Sequence, residues 1–205
     1  MNNTKVTNLL KWSCLLGFAL LSACRETVYT PKPRAYPKIN FPEQGYQQFD
    51  EQYCHFTFEY PSYASIQQDT AFFDEKPVDP CWFDVYIPAL NCRWYFSYIP
   101  IEKKEKLDSL RRDAFVLADK HLVKAEYKDE IPVKNADRNI EGMLFKIDGP
   151  VASPFQFFLT DGNKHFVRGS LYFNTQANKP DSLAPVVQFM EKEMLHLIET
   201  FEWEK

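Results

Sequence analysis

The sequence predicts an α+β fold, mainly antiparallel sheet packed with two long helices. Three observations carry this. HFTFEYP, WFDVYIP and RWYFSYIP set aromatic residues at every second position, the period of a strand. Residues 102–125 and 182–201 switch to a spacing of three and four, the period of an amphipathic helix. Asp161-Gly162-Asn163 stands between two aromatic runs, PFQFFLT and KHFVRGSLYF, as a hairpin turn.

The chain opens with a leader. Lys5 and Lys11 precede an apolar stretch from Trp12 to Ala23, and no acidic residue comes before Glu26. A membrane-spanning helix needs roughly 20 apolar residues, and this stretch is too short and is diluted by Ser13, Gly17 and Ser22. Leu21-Ser22-Ala23-Cys24 is a bacterial lipobox, in which the cysteine thiol is lipidated and the chain is cut before it. Cys24 is therefore the expected lipidation site and first mature residue, and its acyl chains hold the protein on a bilayer. An ordinary signal peptide cut after Ala23 is the alternative. No acidic run follows Cys24, which points to a domain on the periplasmic side.

Residues 24–50 read as the lipidated N-terminus and a tether, since Pro31, Pro33, Pro37 and Pro42 favour extended polyproline structure. Arg34 and Tyr36 interleave charge and aromatic surface there, so this ribbon is either a partner-docking segment or a stiff spacer. Residues 51–205 are left for one globular domain. Its first strand is HFTFEYP, followed by a polar stretch. WFDVYIP and RWYFSYIP come next, each ended by a proline that cannot continue a ladder, with a turn at Pro88-Ala89-Leu90-Asn91. A helix follows on the stripe Leu107, Leu110, Ala114, Ala118 and Leu122. A short strand is expected at 131–134 and a firmer one from Ile140 or Gly142 to Asp148. The aromatic hairpin comes after them. The second helix runs from about Ser182 to Phe201, with Asp181 as its cap and Pro185 in its first turn.

Loss of Lys5 and Lys11 with the leader takes the formal charge of −4 to −6, and no basic run appears, so nucleic acid is excluded as a partner. Three cysteines remain after lipidation. A turn at 88–91 sets Cys92 opposite Ile87 and places Cys81 at the far end of the hairpin, beyond the roughly 4.4–6.8 Å a disulfide spans. Cys54 and Cys81 are then the better pair, with three free thiols as the alternative. No nucleophile elbow, zinc-binding helix motif, phosphate loop or Cys-x-x-Cys pair is present, so no cofactor or metal is expected. His196 with Glu193 and Glu199 reads as a solvated helix face, and His121 as a satisfied residue at a core boundary. Glu59, Asp84 and Asp148 lie on strands and could converge for acid–base work. Arg168, mid-strand among aromatics, either snorkels, stacks on a ring or pairs with an acid, or binds a ligand.

PKPRAYPKI at 31–39, CHFTFEYPSYA at 54–64, PCWFDVYIP at 80–88, HFVRGSLYF at 165–173 and DSLAPVVQFMEKEMLHLIETFEW at 181–203 together resemble the gliding-motility lipoprotein D family (GldD) of Bacteroidetes. Ala35 and His55 depart from it, where Gly and Pro are expected. The resemblance implies a non-enzymatic envelope lipoprotein, a scaffold or assembly component of the gliding apparatus and the linked type IX secretion machinery, with other lipoproteins of that apparatus as partners. The order of elements is also similar to the sandwich of PsbP-like and Mog1-like domains. The competing expectation is a periplasmic binder of glycan or peptidoglycan, or a hydrolase, working from the aromatic-rich sheet.

Overall fold

The computed structural model describes residues 38–70, 77–174 and 180–204, with side chains of the last stretch described from Leu183. The chain divides into two units, of which the first, Met1–Ala35, lies outside the described residues. Within the second, the element order is β1 (Tyr46–Phe49), β2 (Phe56–Pro61), β3 (Ser65–Gln68), β4 (Trp82–Ile87), β5 (Cys92–Pro100), α1 (Lys104–Asp119), β6 (Tyr127–Asn135), β7 (Ile140–Asp148), β8 (Phe155–Thr160), β9 (His165–Phe173), α2 (Pro180–Thr200) and β10 (Glu202–Trp203). Short 3-10 turns join β4 to β5 and follow α1.

β3-β4-β5-β9-β8-β7-β6 form one antiparallel sheet, and β1-β2-β10 a second, smaller one. Strand alternation gives the large sheet two apolar faces. Phe83, Val85, Trp94, Phe96, Phe155, Phe157 and Leu171 pack against β2 (Phe56, Phe58) and against Met190, Met194 and Leu197 of α2. On the other face, Phe145, Ile147, Phe158 and Phe166 pack against Leu107, Ala114 and Ala118 of α1. β8 is covered on both sides, and all six of its residues are buried. The result is an α+β sandwich with a helix on each side of the sheet.

The turns follow from local chemistry. Ile87 and Cys92 are partners across the β4–β5 turn, which closes with Asn91 in the left-handed region at φ 48°. At the β8–β9 turn, Gly162 supplies a φ of 74°, and the Asp161 carboxylate accepts hydrogen bonds from the backbone N–H groups of Asn163, Lys164 and His165. Gly169 in β9 serves a different need. It faces Phe157 across the ladder, and a Cβ there would sit 2.4 Å from the Phe157 ring.

Four expectations change. The stretch read as tether ends inside the fold: Tyr46–Phe49 pairs with β2, and Phe49 is 1% exposed, its ring against those of Phe58 and Phe83 at 4.7 and 4.5 Å. A further edge strand, β3, occupies the stretch read as irregular. β6 runs the full length of β7 rather than over four residues, and as an edge strand it accommodates Pro132. The first helix ends at Asp119, short of Ala125. Asp181, read as a cap, falls among the side chains outside those described.

Candidate functional site

The stripe of α1 covers β7, β8 and β9 and leaves the same face of β3, β4 and β5 without a helix. Alternation presents Trp82, Asp84 and Tyr86 of β4, with Arg93 and Tyr95 of β5, on that open half, and Tyr172 of β9 continues the row. The Arg93 guanidinium lies 4.1 Å from the centre of the Tyr86 ring. It donates to Gln67 Oε1 at 2.6 Å and to Asp84 Oδ2 at 3.2 Å. Burial pushes the Asp84 carboxyl up more than Arg93 pulls it down. Tyr95, 42% exposed, meets Tyr172 edge-on at 5.5 Å. The surface is a bracket of aromatic faces with its central charges already paired.

Where the open half meets the end of α1, a cavity of about 140 Å³ enters the layer between helix and sheet. Leu117, Lys120 and His121 form one wall, and Gln156, Arg168, Ser170 and Tyr172 form the other. The register explains the second wall. Ser170 is the partner of Gln156, Arg168 lies two residues before Ser170 on the same face, and Tyr172 two residues after. Gln156 is 5% exposed, and its Nε2 has no hydrogen-bond partner among the described residues. Arg168 is mostly buried and forms no salt bridge with a described carboxylate. Burial lowers its pKa against the smaller opposing influence of Tyr172 and Asp113, yet a guanidinium remains charged at any physiological pH. Burial likewise pushes the His121 pKa down and the Tyr172 pKa up, so both are neutral near pH 7. The Tyr172 hydroxyl lies 3.5 Å from His121 Nε2.

A second concavity, an open groove of about 500 Å³, lies at the end of the domain near β10, with Arg138, His165 and Trp203 among its walls. His165 stacks on Trp203 at 5.2 Å, and its Nδ1 is 2.7 Å from the Tyr98 hydroxyl. Burial holds the His165 pKa below the ordinary histidine value. Asp161, on the groove's rim, is already occupied by three backbone donors, while Glu202 pairs with Arg138 and the carboxylates of Asp137 and Glu204 also line the groove.

Among the residues singled out from sequence, Cys24, Arg34 and Tyr36 lie outside the described residues. The sulfurs of Cys54 and Cys81 are bonded, with their Cα atoms 4.8 Å apart. Cys92 is buried with a free thiol pushed up to about 12. Glu59, Asp84 and Asp148 do not converge: Glu59 sits on the small sheet and holds His196 at 2.7 Å, Asp84 is held by Arg93, and Asp148 lies at the end of β7 beside edge strand β6. His196 pairs with Glu59 and stacks on Tyr46 at 3.7 Å, and Glu193, read as part of a solvated face, is instead 1% exposed, its Oε1 accepting from Gln44 Nε2. Arg168 takes neither an acid partner nor full solvent. His121 is half-buried at the boundary of the core, as expected, and there it lines the cavity with the Tyr172 hydroxyl beside its Nε2. Sequence reasoning missed Gln156. The available signal was one amide inside the apolar run PFQFFLT, where both faces of the strand are covered.

Fold and surface together define an α+β sandwich whose sheet is covered by a helix on one side of its outer face and left as an aromatic, charged surface on the other. By sequence, the chain belongs to the gliding motility lipoprotein GldD family, whose profile matches residues 26–203. It is thereby a lipid-anchored envelope protein associated with gliding motility. No helix among the described residues is long and apolar enough to cross a membrane. No curated protein matches the chain. Among solved structures it is similar to cyanobacterial PsbP (CyanoP) from Synechocystis sp. PCC 6803, at 12% identity and a TM-score of 0.45 over 79% of this chain and 94% of that one.

Proposed function

We propose that the protein is a non-enzymatic scaffold or assembly component of the gliding apparatus and of the type IX secretion machinery linked to it. In this reading Cys24 carries the lipid, the domain lies in the periplasm, and the partners are other lipoproteins or envelope proteins of the apparatus. Family membership supports the setting. The observation that carries the role is the open half of the sheet face, where Tyr86, Tyr95 and Tyr172 stand exposed or half-exposed around the Arg93–Asp84 pair. Tyrosine and arginine are the side chains on which protein interfaces concentrate their binding energy.

Crosslinking and pull-down of the intact lipoprotein from native membranes, beside a Cys24→Ala form and a Tyr95→Ala/Tyr172→Ala form, tests the proposal. Motility or secretion lipoproteins should be recovered with the intact protein and be depleted with both variants. Recovery of glycan fragments in place of envelope proteins would overturn it and favour a ligand binder.

A further inference from the structure

The cavity under the end of α1 gathers hydrogen-bond donors on its walls. Among the described residues the mostly buried Arg168 guanidinium has no carboxylate in ion-pair contact, Asp113 acting on it only from further off, and the Gln156 amide, nineteen-twentieths buried, has no acceptor for its Nε2 donor. Folded proteins rarely leave a buried polar group without a partner, or a largely buried charge without a counter-charge in contact with it. Here both line the same space of about 140 Å³, together with the hydroxyls of Ser170 and Tyr172. All four groups can donate hydrogen bonds, and the two side chains that set the charge, Arg168 and Lys120, are both cationic.

We propose that this cavity binds a single carboxylate presented by a peptide. A planar guanidinium fork matches the two oxygens of a carboxylate, and the Gln156 amide of β8 and the Ser170 hydroxyl of β9 stand on the same face of the sheet to take the remaining lone pairs. The buried positive charge is one unit, since Lys120 is exposed at the rim and His121 is neutral, so a monoanion balances it where a phosphate dianion would leave charge uncompensated. The mouth opens beside Tyr95 and Tyr172, flat surfaces suited to the chain that carries the carboxylate. This inference goes beyond the scaffold reading and fails separately from it: a pull-down can fail while the carboxylate still binds, and the reverse.

The test is a titration of the intact, nitrogen-15-labelled lipoprotein in detergent micelles, following the Gln156 side-chain amide and the Arg168 Nε–H by NMR. The probes are N-acetyl-alanine for a chain end, N-acetyl-glutamate amide for an acidic side chain, N-acetyl-alanine amide as the uncharged control, and inorganic phosphate, all at constant ionic strength. Both resonances should move saturably with one or both carboxylates and stay in place with the amide control. The carboxylate that saturates at lower concentration identifies the source. Gln156→Leu and Arg168→Gln should each weaken binding about tenfold or more, and if Arg168→Gln does not fold, Gln156→Leu carries the test. No shift with either carboxylate, an equal shift with the amide control, or tighter binding of phosphate would overturn the proposal.

Discussion

Position 168 keeps a cation in the middle of a strand, between Val167 and Gly169, where a sheet covered by a helix ordinarily places an apolar side chain. If that charge serves a ligand rather than the fold, removing it should not harm stability. Arg168→Met keeps the stem and deletes the head group, and its melting temperature is expected to equal or exceed that of the parent. A loss above about 1 kcal/mol in chemical denaturation would instead mark the guanidinium as part of the fold. The histidines give a second prediction at this scale. His121 and His165 both have folded pKa values below the ordinary 6.5, chiefly through burial. Above that pH both are neutral in either state and contribute nothing. As pH falls below 6.5, the unfolded chain takes up protons that the folded one resists, so stability declines until the folded values are passed. Melting temperature should therefore fall from pH 7 towards pH 5, with a shallower slope in a His121→Asn/His165→Asn variant. An unchanged slope would sink that assignment.

At the scale of elements, the aromatic hairpins were legible because their physics is local. Asp161-Gly162 can only turn, Pro88 and Pro100 end ladders, and a two-residue period declares a strand with one face in the core. β1 and β3 were not legible for the same reason in reverse. Tyr46–Phe49 and Ser65–Gln68 are four-residue edge strands with three exposed positions each, so almost no apolar periodicity exists to be read. Prolines upstream then made residues 38–50 look like spacer, and only the packing of Phe49 reveals otherwise. That packing makes a sharp prediction. Phe49→Ala should cost about 3–5 kcal/mol, the range for emptying a buried aromatic site. A spacer residue would cost nothing, so an unchanged urea midpoint would restore the tether to its full length. The cavity was half legible. Arg168 stood out among aromatics, but Gln156 gains its meaning only from the register that puts it beside Ser170 and from the helix that roofs it, both of them long-range facts.

At the scale of the whole molecule, the two faces of the sheet have different roles. One is sealed by α2 and the small sheet, with Phe56 and Phe58 fully buried against it. The other is sealed only as far as α1 reaches. The first supplies stability and the second supplies accessible surface, which is the arrangement expected of a domain that holds its shape while touching others. The Cys54–Cys81 bond belongs to the sealed side, tying the entry of β2 to the entry of β4 across a sequence separation of 27 residues. Its reduction should lower stability by about 2–4 kcal/mol, measured by denaturation with and without a phosphine reductant. An identical curve after complete reduction would show that the core alone holds those strands.

That bond also sets how the domain would carry a load. A pull entering along the chain from the N-terminal side passes β1, reaches Cys54, and crosses directly to Cys81 without running through the residues between them. Those residues amount to about 90 Å of slack if drawn out straight, and the bridge withholds all of it. Load applied to the N-terminal side of the domain is thereby coupled to the large sheet by a short, inextensible link.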